Sequence, residues 1–144
     1  MKNILLAGIL AVACTSVSAN SFVLTTGQAS KASASQSFSL DFISDGDGTT
    51  LVVKVGIPET DKASVNLAGC GKGLPSGFVG QCAVAKGNLI MIVSSDTNEL
   101  LPKGAVSLGM FSVTYADKQP RQLSITSTEV SSPEATELQS SAAQ

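Results

Sequence analysis

Apolar residues recur at every second position over much of this chain, and that period constrains its fold more than any other feature. Phe38, Leu40 and Phe42 alternate with Ser37, Ser39 and Asp41. Leu51, Val53 and Val55 alternate with Val52 and Lys54, and Val65 and Leu67 with Asn66 and Ala68. Successive side chains of a β-strand point to opposite faces, so a period of two turns one apolar face to a core and the other to solvent. Ala105 to Tyr115 predicts a long strand in which Phe111, Val113 and Tyr115 share a face, and Leu123, Ile125 and Ser127 form the last alternating segment. Leu89 to Val93 is a continuous apolar run, which predicts a strand buried on both faces. Turn chemistry separates the runs at Asp45-Gly46-Asp47-Gly48, Lys86-Gly87-Asn88, Leu101 to Gly104 and Asp117 to Pro120. No convincing amphipathic helix interrupts them. Several short strands at this spacing predict an all-β fold, an antiparallel sandwich or barrel.

Composition narrows the function as well as the fold. Charged residues make up 14% of the chain and the net charge is −2, with no basic run to neutralise phosphates, so nucleic-acid binding is not expected. Histidine is absent, which removes the Ser-His-Asp triad, the Cys-His pair and most zinc sites. Hydrophobic residues at 43% suffice for a packed core in a chain of 144 residues, about one domain.

The first nineteen residues read as a secretory signal peptide. Lys2 supplies the positive start, Ile4 to Cys14 the apolar run, and Val17 and Ala19 the small residues read by signal peptidase, so cleavage is expected between Ala19 and Asn20. The run is too short for a membrane span of about 20 residues, and no transmembrane segment is expected. Leu10-Ala11-Val12-Ala13-Cys14 loosely resembles a lipobox, and a lipid anchor at Cys14 is the minor alternative. Either route exports the mature chain to the periplasm, the envelope or the medium. Export leaves Cys70 and Cys82 as an even pair in an oxidising compartment, so a disulfide between them is expected.

The mature domain is expected over residues 20–132. Gln28 to Gln36 reads as a solvated loop or tether, and residues 133–144 as a disordered polar tail. Asp45-Gly46-Asp47-Gly48 is the one segment that invites calcium, but Thr49 stands where a third ligand is expected and Lys54 and Pro58 where acidic ligands would help. A hairpin turn is the better reading, since Asp-Gly readily takes positive φ. Asp61, Asp96, Glu99 and Asp117 lie singly in loops, and nothing in their spacing marks the carboxylate pair that sugar hydrolysis needs. Leu74-Pro75-Ser76-Gly77-Phe78 lacks the elbow of a serine hydrolase. No catalytic, cofactor or metal site is therefore expected. With no Trp and one Tyr, a flat sugar-stacking platform is poorly supplied. Phe78, inside the Cys70–Cys82 loop, is the candidate ligand contact, weighed against a residue that simply packs the loop.

Three pieces of the chain resemble a cohesin domain, a jelly-roll sandwich of the same superfamily as several carbohydrate-binding modules. They are Ser39-Leu40-Asp41-Phe42, the run from Leu101 through Gly104 to the Phe111-Ser112-Val113 strand end, and Gln122 to Val130 as a closing strand. The resemblance implies an antiparallel jelly-roll β-sandwich that binds a protein through one sheet face, without catalysis and with no calcium of its own. The expected function is thus an exported, non-enzymatic recognition module whose partner is a dockerin-like or envelope protein. A carbohydrate-binding module taking a polysaccharide, or a structural subunit of a surface adhesin, is the alternative.

Overall fold

A computed structural model describes residues 20–30 and 34–143. The expected signal peptide, its cleavage site up to Ala19 and the alternative lipid anchor at Cys14 lie outside the described residues. The strands are β1 (Ser21–Ser30), β2 (Ser35–Ser44), β3 (Thr50–Gly56), β4 (Ser64–Asn66), β5 (Phe78–Ala85), β6 (Asn88–Ser95), β7 (Gly104–Thr114), β8 (Ile125–Ser131), β9 (Glu137–Leu138) and β10 (Ser141–Ala143), with one 3₁₀ turn at Glu59–Asp61. They form two five-stranded sheets, ordered β10-β1-β2-β7-β4 and β5-β6-β3-β8-β9. Every pairing between these strands is antiparallel except β1 with β10. The fold is an antiparallel β-sandwich, as the period of two predicts, in the jelly-roll form that the cohesin resemblance implies.

The core lies between the sheets and is built from the alternate residues picked out by sequence. Phe38, Leu40 and Phe42 of β2, Leu51, Val53 and Val55 of β3, and Phe111 and Val113 of β7 are all buried. Phe22 packs on Phe42 with ring centroids 4.8 Å apart, and Phe38 stacks on Phe111 at 5.2 Å. Aromatic pairs at these distances add to the stabilisation from burial alone.

At Leu108 the strand β7 carries an extra residue, because Leu40 pairs with Gly109 while Asp41 pairs with Ser107. Gly109 has φ 105°, and a Cβ on it would lie 2.3 Å from the carbonyl oxygen of Gly69. The bulge lets residues 69–71 run close beside β7, where Gly71 N–H donates to Leu108 O at 2.8 Å and Met110 N–H to Gly69 O at 3.1 Å. Cys70 is thereby held beside the sheet that ends in β4, and it bonds to Cys82 on β5 of the other sheet, with Cα atoms 6.3 Å apart. The disulfide expected from the cysteine pair is present, and it ties the two sheets together across one open side of the sandwich.

Four expectations are corrected. Leu89 to Val93 is not buried on both faces: Leu89, Met91 and Val93 enter the core, but Ile92 is 40% exposed. No further layer covers the outer side of β6 among the described residues. Asp45 to Gly48 is not a hairpin turn, because it carries the chain from β2 in one sheet to β3 in the other. The segment from residue 133 on is not a disordered tail: β9 pairs with β8, and β10 pairs with β1, Ser21 opposite Ser141. Its few apolar residues gave no period, because its order comes from hydrogen bonds to the preceding strand β8 and to the distant β1. The packed domain therefore extends past residue 132 to Ala143. Gln28 to Gln36 is not simply a loop either, since Ala29 pairs with Gln36 where β1 ends and β2 begins.

Candidate functional site

Two features of the surface can act on another molecule, and both belong to the sheet β5-β6-β3-β8. Core-facing Val93, Met91 and Leu89 fix which residues of β6 point outward. In register across the sheet, Ile92 stands between Gln81 and Val52, and Val52 stands beside Glu129. The next row holds Ala83, Ile90, Lys54 and Ser127. Val79, opposite Ser94, extends the apolar area at the edge, and it is 48% exposed. The result is an apolar strip of Val79, Ile92, Ile90 and Val52, rimmed by Gln81, Lys54 and Glu129. The outer face of the other sheet differs: Ser39 stands between Thr25 and Met110, Asp41 between Val23 and Ser107, and Ser37 beside Ser112. Hydroxyl groups dominate there, with Met110 as the exposed large apolar side chain.

One row further along, the apolar strip gives way to a polar cleft. Ala85, Asn88 and Gly56 form that row at the end of the sheet. Lys86 and Gly87 join β5 to β6 with φ of 50° and 74°, the positive values of a two-residue hairpin turn. This turn, the 3₁₀ turn after β3 and the approach to β8 enclose a cleft of about 480 Å³ that includes Asp61, Asn88, Arg121, Gln122, Ser124 and Thr126. Thr126 Oγ1 donates to Asn88 Oδ1 at 3.0 Å, and Asn88 Nδ2 to Lys86 O at 3.2 Å, so the lining side chains hold one another in place.

Arg121, the chain's one arginine, organises the electrostatics. Its two terminal nitrogens both donate to the Asp117 carboxylate, one of them at 3.0 Å, and its Nε lies 3.6 Å from Asp61. Its guanidinium covers the Tyr115 ring, 4.5 Å from the centroid. Its backbone N–H donates to the buried carboxamide of Gln36 at 3.1 Å. The hydrogen bond from Arg121 holds the Asp117 carboxyl below its usual range, and the same bond raises Arg121. Burial pushes the Tyr115 hydroxyl up, against the pull of Arg121. That hydroxyl has no hydrogen-bond partner among the described residues.

The residues singled out by sequence are distributed as follows. Asp61 and Asp117 come together, but around Arg121 rather than across an open cleft. Glu99 lies in the β6–β7 connection, where its N–H bonds to Ser95 Oγ and its carbonyl accepts from Thr49 Oγ1 at 2.7 Å. Asp96 is exposed in the same connection. Asp47 accepts a hydrogen bond from Asn20 Nδ2 at 2.8 Å, and Asn20 Oδ1 accepts from Asp45 N–H at 2.9 Å, so the suspected calcium loop is fastened to the start of β1. No group of three or more acidic, Cys or His residues gathers among the described residues. Phe78 is not on a loop: it opens β5, is half-buried and packs against the core. Sequence reasoning missed Arg121, Asn20 and the outward Ile90–Ile92 pair. The available signals were the proximity of the one arginine to the one tyrosine, and apolar residues at the even positions of a run whose odd positions already filled a core.

No protein-family model matches the sequence, no curated protein matches it, and no helix among the described residues is long and apolar enough to cross a membrane. Solved structures do match. The sixth cohesin of scaffoldin B from Acetivibrio cellulolyticus, in complex with a mutant Cel5 dockerin, superposes with a TM-score of 0.61 at 10% identity, over 86% of this chain and 94% of that one. The cohesin module of a family 33 glycoside hydrolase from Clostridium perfringens gives 0.57 at 11% identity, over 88% of this chain and 100% of that one. A chain of the CaDoc0917–CaCohA2 complex gives 0.53 at 9% identity, over 85% of this chain and 94% of that one. The chain thus has the jelly-roll fold of the cohesin modules, as the strand motifs around Asp41, Phe111 and Val130 imply.

Proposed function

We propose that this protein is an exported, non-enzymatic recognition module that docks a protein partner on the outer face of β5-β6-β3-β8. The observation that carries the reading is the apolar strip Val79, Ile92, Ile90 and Val52, bounded by single charges and set on one sheet only. Apolar residues gathered in a polar rim are the usual make-up of a docking surface, whereas the serine-rich face opposite offers little area to desolvate. The dockerin complex of one similar cohesin supports a protein as the partner class, either dockerin-like or from the cell envelope. The fastening of Asp117 to Arg121 supports a role without acid-base catalysis, since a carboxylate held low by a guanidinium is a poor proton donor near neutral pH. The sheet-to-sheet disulfide supports an oxidising compartment.

The test is affinity capture from envelope and secreted fractions, followed by titration of the purified partner. Ile92→Asp should weaken binding at least about tenfold, the effect of losing one well-packed apolar contact. Met110→Asp on the opposite face should leave it unchanged. A partner that tolerates Ile92→Asp and is lost with Met110→Asp would place docking on the other sheet.

A further inference from the structure

We propose that the cleft between the Lys86–Gly87 turn and Arg121 is a second binding site, for an uncharged polyhydroxylated ligand of the saccharide class. Its volume of about 480 Å³ lies within the usual range of small-molecule sites, about 300–1,000 Å³. The charge arrangement selects against ions. Arg121 has its terminal nitrogens on Asp117, its Nε beside Asp61 and one face on Tyr115. In the lining Asp61 balances Arg121, and the guanidinium's terminal nitrogens are taken up by Asp117, so the wall carries no net charge and no free guanidinium to draw in a phosphate or sulfate. The same guanidinium at the wall disfavours a cation.

The rest of the lining is uncharged, and within it the carboxamides of Asn88 and Gln122 and the hydroxyls of Ser124 and Thr126 can hydrogen-bond. Carboxamides and hydroxyls both donate and accept, as the vicinal hydroxyls of a sugar do. Gly56 leaves the floor open beside Thr126, whose Cγ2 would stand 3.0 Å from a Cβ at that position. The exposed ring of Pro58 at the rim offers an apolar surface to the C–H face of a sugar. The Thr126–Asn88–Lys86 hydrogen bonds hold the site in shape before a ligand arrives, so little ordering is left for binding to impose. No aromatic ring forms a stacking platform in the lining, so hydrogen bonds carry most of the affinity, with a dissociation constant on the order of 1 mM. The site is separate from the apolar strip, and either reading can fail without the other.

The experiment is an amide chemical-shift titration of the full mature chain with neutral disaccharides (cellobiose, maltose, mannobiose and diacetylchitobiose), with glucose 6-phosphate and inorganic phosphate as charged controls. At least one neutral disaccharide should give saturable shifts at Gly56, Gly87, Asn88, Gln122 and Thr126, and phosphate should not. Gln122→Ala and Ser124→Ala, both at exposed positions, should each keep a folded spectrum and weaken binding at least about threefold. Ile92→Asp should leave sugar binding intact while it lowers partner binding. The inference is overturned if no neutral disaccharide saturates, if saturable shifts map elsewhere, if phosphate moves the same amides, or if both cleft variants bind as the native chain does.

Discussion

Asn20 is a small side chain with a large structural duty. It is 2% exposed, and its carboxamide joins Asp45 N–H and Asp47 Oδ1 in the connection between the two sheets. Asn20→Ala removes two part-buried hydrogen bonds, so unfolding free energy should fall by about 1–3 kcal/mol in denaturant titrations. Tyr115 presents the opposite case: its hydroxyl is buried without a partner among the described residues. Tyr115→Phe removes an unpaired polar group and keeps the ring under Arg121, so it should be neutral or stabilising by up to about 1 kcal/mol. The hydroxyl sits above its ordinary value of 10.0 because burial disfavours the phenolate. A raised folded value means that the associated stability is present below the unfolded value and is lost as pH climbs through the folded one. Tyr115→Phe should therefore melt with a shallower alkaline decline than the native chain. Asp117 has the reverse sign: its folded value lies below 3.8, so its pairing with Arg121 stabilises above that pH and fades as pH falls through the lowered folded value. The melting difference between native and Asp117→Asn chains should narrow in acid, and a difference unchanged by pH would show that the ion pair contributes nothing measurable.

At the scale of elements, β7 is the member on which the others depend. Its bulge at Leu108 and the positive φ of Gly109 admit residues 69–71 alongside it, and a methyl group at Gly109 would meet the Gly69 carbonyl oxygen at 2.3 Å. Gly109→Ala should cost upward of about 2 kcal/mol and lower the yield of correctly oxidised protein, read by thermal melting and thiol titration. A melt like that of the native chain would mean that the 69–71 segment is free to move away. The strands legible in sequence were those whose inner face alone is apolar, such as Phe38-Leu40-Phe42 and Leu51-Val53-Val55. Burial on one side and solvent on the other writes a period of two directly into the residues. Where that condition fails, the period misleads: Leu89 to Val93 is apolar on both sides, yet Ile92 faces out. The Asp-Gly pairs fix a local bend, but a bend between strands of one sheet and a crossing between two sheets use the same chemistry. Only the partner strand decides, and that is set by contacts tens of residues away. The short strands β9 and β10 carry too few apolar residues to announce themselves for the same reason.

For the molecule as a whole, the bond between Cys70 and Cys82 joins two sheets that otherwise meet through side-chain packing, at a sequence separation of 12. Replacing both cysteines with serine should lower stability by about 2–4 kcal/mol, checked by denaturant unfolding with and without reductant. Mass spectrometry of protein from the native envelope should find no alkylatable thiol in the mature chain, and two free thiols there would refute an oxidised mature form. Of the candidate site, sequence conveyed the fold that presents it and the absence of histidine chemistry. It did not convey the site itself, because the apolar strip and the cleft draw on β3, β5, β6, β8 and the Arg121 segment, which no local pattern brings together. One further consequence follows from the pairing of Ser21 with Ser141 and from the hydrogen bond of Ser141 N–H to Asn20 O at 3.1 Å. Because β10 runs parallel to β1, the start of β1 and the end of β10 lie only a short strand's length apart on one edge of the sandwich, so a short glycine and serine segment turning back along that edge would join them. A circular permutant with fresh ends cut in the exposed turn at Asp96 and Thr97 should fold to the same sandwich, its order of synthesis rewritten and its surface untouched.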